Sequence, residues 1–355
     1  MSRSARDKRA DVLRLVEAAR AVARGRASLE ADLVRTTGLS PEGVNLAFDR
    51  HLELDPSDED LDALVAGAGA AKHVVVVLSA NVFVAALRAI AIARAASPSV
   101  AVRPSRREPH FARALVAAAG DPGLTWIEAH EGDDARDDAV LERLFGGEVH
   151  VYGRDATIAA VRARVGARIR VRGHGAGMGV AVVGEGADLA DAARALARDV
   201  VAFDQRGCLS PRVALVEGED RARAFAEALD GALAEANARV PRGTLSEDER
   251  VALARYAATM AFAGDIVRGA AHAVGLAPAG APLVVPPPGR HVHVAPVASM
   301  NEVEARLADL ASVIVAVGAD DPARARPHVP RHARLSALGE MQRPPLDGPV
   351  DRRPA

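Results

Sequence analysis

Apolar and polar positions follow two periods along this chain. A helical period covers residues 8–24, where apolar side chains recur three and four apart. Ser40 before Pro41 has the form of an N-cap with proline at the first helical position, and predicts a helix to about Leu54. An acidic turn over 55–62 leads to the β-branched run 73–78, read as a fully buried strand, and a helix over 82–95. The alternation continues with a strand at 97–103, a helix at 109–119 closed by Gly120, a strand at 124–130, a helix at 138–145 and a strand at 149–152. Asp155 is expected to cap a helix reaching Val165, before strands at 169–172 and 179–183. A helix over 188–203 then runs directly into Cys208.

The second half predicts a strand at 213–217 and a helix at 222–238. Ser246 and Glu249 form a capping box that opens another helix. A Pro- and Gly-rich loop at 279–290 precedes a strand at 291–297, a helix at 301–311 and a strand at 313–317. From Arg324 onward Pro, Arg and His dominate, which predicts an extended tail that docks on another element or stays mobile. No internal repeat is visible. Strands alternating with helices at this spacing imply an α/β fold with a parallel sheet covered on both faces.

Length changes the picture first: 355 residues exceed one ordinary core and suggest two lobes. With 49% hydrophobic residues but only 3% aromatics, Ala, Val and Leu must fill the core, and a stacking platform for single-stranded nucleic acid is disfavoured. A net charge of -2 gives no nucleic-acid footprint. The most apolar stretch, 73–96, is interrupted by Asn81, Arg88 and Arg94, so no membrane span is expected. No signal peptide is read at the N-terminus, which leaves a cytoplasmic protein as the expectation. A single cysteine excludes an intrachain disulfide and disfavours a thiolate zinc site.

That cysteine, Cys208, lies in Asp204-Gln205-Arg206-Gly207-Cys208-Leu209-Ser210-Pro211-Arg212, a polar loop between a helix and a strand. Arg206 and Arg212 are expected to bring positive charge, which favours the thiolate and makes it a useful nucleophile. A buried structural cysteine is the competing reading.

The segment around Cys208 resembles the aldehyde-dehydrogenase superfamily. More narrowly, it is similar to the acyl-CoA reductase family that includes the fatty-acid reductase of bacterial bioluminescence. Ser79-Ala80-Asn81-Val82-Phe83, Ala101-Val102-Arg103-Pro104-Ser105 and Leu338-Gly339-Glu340-Met341-Gln342-Arg343-Pro344-Pro345-Leu346 match other segments of that family in order. The resemblance implies that Cys208 accepts the acyl group and that Asn81 donates to the oxyanion. It also implies a dinucleotide held by Ser79, Arg103, Ser105, Gly153, Arg154 and Gly175, with Arg103 favouring NADPH and NADH as the alternative.

In Gly173-His174-Gly175-Ala176-Gly177-Met178-Gly179, His174 falls where oxidative aldehyde dehydrogenases carry the Glu that activates water. Its absence suits a reductase, in which hydride rather than water attacks the acyl-enzyme. His174 could exchange a proton with Cys208 or be a packed structural histidine. Asp155 departs from the superfamily pattern, and its charge would repel phosphate. Val292 stands where the superfamily places a Glu on the nicotinamide ribose. His291 and His293 share a strand face but lack a third fixed ligand, so no metal is expected.

The sequence therefore predicts a two-lobed, aldehyde-dehydrogenase-like α/β protein. Residues 1–59 are an N-terminal helical segment, 60–173 a doubly wound nucleotide-binding lobe, 174–320 an α/β catalytic lobe, and 321–355 a tail returning to the nucleotide-binding lobe. The expected activity is NADPH-dependent reduction of an acyl thioester, an acyl-CoA above all, to an aldehyde. Rival readings are an aldehyde-oxidising dehydrogenase and a non-catalytic acyl-carrying protein. The partners implied are the acyl thioester, an acyl-activating enzyme and a further copy of the chain.

Overall fold

The computed structural model describes residues 3–128 and 147–353. The helix expected at 138–145 and the end of the strand expected at 124–130 lie outside them.

Two sheets organise the chain. The first has the order β3-β2-β1-β4-β5, from β1 (Val74–Val77), β2 (Val100–Arg103), β3 (Leu124–Trp126), β4 (Glu148–Tyr152) and β5 (Arg170–His174). All its pairings are parallel. The second has the order β12-β11-β6-β7-β10-β9-β8. Its strands are β6 (Met178–Val183), β7 (Pro211–Glu217), β8 (Asp265–Arg268), β9 (Ala273–Leu276), β10 (His291–Val297), β11 (Ile314–Ala319) and β12 (Arg334–Ala337). Only the β8–β9 pairing is antiparallel. Fully buried β1 reads Val-Val-Val-Val because helices cover both faces of a parallel sheet and leave no solvent side for polar residues.

The helix Ala5–Arg24 buries Val12, Leu15, Val16, Ala19 and Val22, the stripe its period predicts. It packs on the helices Ala86–Ala96 and His110–Ala119. Every residue of Ala86–Ala96 is buried, including Arg88 and Arg94. Both charges therefore need partners. Arg94 donates to both carboxylate oxygens of Asp121, at 2.9 and 3.2 Å, and to Asp11. Arg88 pairs with Glu53 at 2.6 Å.

Several expectations change. The helix from Pro41 ends at Leu46 and loosens into a wide, π-type turn over Ala47–His51. The helix expected at 301–311 shrinks to one α-turn, Val303–Leu307, between two 3₁₀ turns. Asp155 is not a cap: Arg154 holds that position and Asp155 is the first helical residue.

The tail is ordered through Arg353. Its β12 extends the second sheet beside β11, a pairing that an Arg- and Pro-rich sequence did not predict. It then crosses to the first layer, where Leu346 enters the core beneath β1 and β2. Arg88 donates to the carbonyls of Pro344 at 2.9 Å, Pro345 at 2.7 Å and Gly348. Arg334 holds Asp347 and donates to the Pro349 carbonyl at 2.9 Å. Of the tail's basic residues, Arg324 and Arg334 are spent on internal partners, while Arg326, Arg331 and Arg343 stay exposed.

Arg88→Met should destabilise the protein by about 3–5 kcal/mol, because Glu53 stays buried without its cation and three tail carbonyls lose their donor. Urea denaturation checks this. A change below about 1 kcal/mol would mean that the tail and Glu53 do not depend on Arg88.

Candidate active site around Cys208

The loop that carries Cys208 is held in an unusual backbone form. The helix Leu189–Val201 ends, and Phe203, Asp204 and Gln205 follow at φ of 53°, 51° and 65°. Three consecutive non-glycine residues in the left-handed region cost roughly 1–2 kcal/mol each. Their side chains supply the compensation. Phe203 enters the core of the first layer and meets the His51 ring at 5.2 Å. Asp204 is buried and paired with buried Arg290 at 2.7 Å, and it accepts from the Gly243 N–H at 3.0 Å. The Gln205 amide donates to the carbonyls of Pro211 and His291, both at 2.7 Å, and accepts from the His291 N–H at 2.9 Å. Gln205 thus fastens the loop to the starts of β7 and β10.

Arg206 corrects an expectation. It donates to Glu249 at 2.9 Å and to the Thr244 carbonyl at 2.9 Å, so its charge is neutralised rather than offered to the thiol. Half-buried Cys208 sits among Leu209, Val315, Ala316, Met341 and Val350. Burial, and then the carboxylate of Asp351, push its thiol up to about 11. Arg353 and Arg88 act in the opposite direction and are outweighed.

Glycine at position 207 brings three segments together. A Cβ there would lie 3.2 Å from Val82, 3.3 Å from the Ser210 hydroxyl and 3.4 Å from the Gln342 side-chain oxygen Oε1. The segment after β1 therefore reaches the Cys208 loop. Exposed Asn81 accepts from Arg107 at 2.9 Å through Oδ1, which leaves its amide N–H groups to donate elsewhere. The Ser210 hydroxyl, the Gln342 amide nitrogen, the Tyr152 hydroxyl and Arg212 Nε are buried without hydrogen-bond partners among the described residues. Unsatisfied polar atoms are rare in protein interiors, and two of these, on Ser210 and Gln342, belong to side chains that meet at Gly207 beside Cys208.

The other predicted residues lie along the C-terminal edge of the first sheet. Ser79 follows β1, Arg103 ends β2, and Ser105 follows with its hydroxyl accepting from the Arg107 N–H at 3.2 Å. Gly153 follows β4 and donates to the His174 carbonyl at 3.1 Å, and Arg154 precedes the helix Asp155–Val165 without capping it. His174 ends β5, stacked 4.5 Å from Tyr152, and burial pushes it down to about 4, so it is a neutral imidazole. Gly175 is glycine for a packing reason: a Cβ there would lie 2.1 Å from an Asp155 oxygen. That carboxylate accepts from the Ala176 N–H at 3.1 Å, so its charge is partly engaged.

The sequence reading missed the tail. Val350 packs beside Cys208, and Asp351 lies within electrostatic reach of both Cys208 and His174. Arg353 holds Asp351 at 2.8 and 2.6 Å. The matched signature segment 338–346 hinted at a site role but did not reveal that the residues after it contribute. Val292 is buried in the core of the second sheet. His291 bonds the Gly289 carbonyl and His293 accepts from the Val284 N–H. No group of three His, Cys, Asp or Glu fit to hold a metal occurs among the described residues, and no helix there is long and apolar enough to cross a membrane.

Two sheets, parallel but for the β8–β9 pairing, with a cysteine loop at the start of a central strand define an aldehyde-dehydrogenase-like fold. Solved structures agree. A putative aldehyde dehydrogenase from Burkholderia cenocepacia is 18% identical with a TM-score of 0.71, covering 93% of this chain and 76% of its own. An NAD-dependent benzaldehyde dehydrogenase from Corynebacterium glutamicum is 15% identical with a TM-score of 0.68, covering 95% and 81%. An NAD-dependent aldehyde dehydrogenase from Sinorhizobium meliloti is 17% identical with a TM-score of 0.67, covering 94% and 74%. No curated protein matches. The model of the acyl-CoA reductase (LuxC) family matches residues 66–326, and the chain belongs to that family. It is an oxidoreductase of acyl or aldehyde substrates.

Two outcomes test this site. Asp204→Ala strands the buried Arg290 charge and should cost about 3–5 kcal/mol in thermal or urea unfolding. Iodoacetamide alkylation of Cys208 should be slow at neutral pH and rise through a midpoint near 11. Asp351→Asn removes a charge that raises the thiol, so the midpoint should fall. A wild-type midpoint near the ordinary ~8.5 would contradict the assigned burial and charge.

Proposed function

We propose that the protein reduces an acyl thioester, in the first instance a fatty acyl-CoA, to an aldehyde through an acyl-enzyme on Cys208. The observation that supports this reading is the packing at Gly207, beside Cys208, of Val82 from the segment after β1 and of Ser210 and Gln342, whose hydroxyl and amide nitrogen are buried without partners among the described residues. His174 stands where a water-activating carboxylate would serve hydrolysis, and a neutral imidazole supports proton exchange instead.

A nicotinamide dinucleotide fits the C-terminal edge of the first sheet, the usual place for such ligands in doubly wound sheets. Ser79, Arg103, Ser105, Gly153, Arg154 and Gly175 would hold it, beside the N-terminus of the helix Asp155–Val165. Two of the similar structures above are named as NAD-dependent, which supports the cofactor class. Arg103 beside Ser105 favours a 2′-phosphate and hence NADPH over NADH. Bound there, the cofactor supplies the hydride that reduces the acyl carbon.

The chain's own residues do the rest. Cys208 Sγ bonds to the thioester carbonyl carbon while its thiol proton is relayed through the neutral imidazole of His174 toward the carrier sulfur. The Asn81 amide and the Cys208 N–H donate to the oxyanion. The oxyanion collapses, the carbon–sulfur bond to the carrier breaks, and His174 returns the proton to the departing thiolate. Once the acyl carbon is reduced, the carbon–sulfur bond to Cys208 breaks, the aldehyde leaves, and the Cys208 thiolate takes up a proton from water.

Intact mass spectrometry after exposure to acyl-CoAs of increasing length tests this on wild type and Cys208→Ala. The expected result is an added acyl mass on the wild type alone, with NADPH oxidised only when Cys208 is present. An adduct that persists in Cys208→Ala overturns the assignment of the nucleophile. Free acid formed from an aldehyde without CoA overturns the direction of the reaction.

A further inference from the structure

A cavity of about 280 Å³ opens between the N-terminal half of the helix Glu247–Ala263, the β8–β9 turn and the start of β10. Arg242, Arg250, Arg268, His272, His291 and Leu253 are among the residues that line it, and no carboxylate does. Of the three arginines in the wall, Arg250 is paired with Glu247, as Arg206 is with Glu249 and Arg290 with Asp204 nearby. Arg242 and Arg268 form no ion pair among the described residues. Arg242 donates only to the carbonyls of Ala271 and Gly289, at 2.9 and 3.3 Å, and Arg268 only to that of Ala257 at 3.3 Å. Asp265, the acid on the same strand as Arg268, is engaged by Arg223 at 3.2 Å.

The histidines complete the wall differently. Both nitrogens of His272 are occupied, by Asp230 at 2.9 Å and Asn237 at 2.8 Å. His291 directs Nδ1 to the Gly289 carbonyl at 3.0 Å, so that nitrogen carries the proton. Its Nε2 is left as an acceptor without a partner among the described residues. Guanidinium groups that lack carboxylates, gathered at one concavity, match a phosphate's oxygens in charge and in fork geometry. Leu253 and the alanines beside it offer an apolar flank, and His291 Nε2 can accept from an amide or hydroxyl.

The geometry points to this cavity as a binding site for a phosphate ester, gripped by Arg242 and Arg268 and flanked by the apolar face of the helix. The site is joined to the chemistry through Gln205, which ties His291 to the Cys208 loop. The occupant is the carrier half of an acyl thioester, because the proposed function, on which this choice rests, already places the dinucleotide phosphate at Arg103 on the first sheet.

Calorimetric titration of the full chain with CoA, NADPH, NADH and inorganic phosphate tests this, on wild type, Arg268→Gln and Arg242→Gln. Arg268 lies on an exposed edge strand, so its loss should leave folding intact; a thermal melt checks Arg242→Gln, which also anchors a turn. The expected result is binding of at least one organic phosphate that weakens about tenfold or more in Arg268→Gln, with inorganic phosphate as competitor. If CoA is weakened and NADPH is not, the carrier is the occupant; a loss of NADPH but not NADH overturns that assignment. Equal binding in wild type and Arg268→Gln overturns the site, as does weak binding of inorganic phosphate alone, the mark of an adventitious anion. These readouts need no turnover, so an absent Cys208 adduct would sink the proposed reaction without touching this site.

Discussion

The buried pair of Asp204 with Arg290 is the interaction on which the site depends. Both residues have left-handed backbone, at φ 51° and 69°, and both side chains are almost wholly removed from water. Such a pair does little for net stability compared with an apolar replacement, because desolvation offsets most of the attraction. Its value is specificity of position. With Asp204 fixed, Phe203 points into the first layer, Gln205 bridges to β7 and β10, and Arg206 meets Glu249. Cys208 emerges from that scaffold with almost no freedom to choose another place, which is what a nucleophile that must meet groups from another sheet requires.

The same logic extends to the tail. Arg88 and Arg334 spend their donors on backbone carbonyls of residues 344–350, so a stretch with little regular structure is fixed by side chains from two layers. Asp199 adds a third tie, accepting from the N–H groups of Gly339 and Met341 at 2.6 and 3.0 Å. Burial pushes that carboxyl up to about 7 despite these bonds, so the tie is costly as well as directional. Together they bring Met341, Gln342 and Val350 to the cysteine.

Much of this fold was legible in the sequence, because strand and helix periods depend on local burial. Val74–Val77, His291–Val297 and the Ser246–Glu249 capping box stand where their patterns placed them. The site was legible only at its centre. A single cysteine in a Gly-containing loop pointed to itself, but the electrostatics around it were misread. Arg206 looked like a cation beside a thiol because its neutralising partner, Glu249, stands 43 residues away. The left-handed turn before Cys208 was invisible because none of its three residues is a glycine or an asparagine, the usual markers. The tail was obscure for a related reason: its order comes from buried arginines elsewhere in the chain, and no period in residues 324–353 announces it.

The tail bears directly on the direction of the proposed chemistry. In the proposed reading His174 takes the place of a water-activating carboxylate, yet a carboxylate reaches the neighbourhood from the tail as Asp351. Whether it could restore hydrolysis turns on its basicity. Burial works against its ionised form, but the paired bonds from Arg353 prevail and hold the carboxyl below the ordinary range. Both of its oxygens already accept hydrogen bonds from Arg353. A carboxylate so engaged is a poor proton acceptor for water, and its negative charge raises the thiol rather than activating it. His174, pushed down to about 4, is likewise a weak base toward water. An acyl group on Cys208 would thus face no strong base on either side, and its survival until hydride arrives follows from how these charges are tied rather than from the absence of a carboxylate alone.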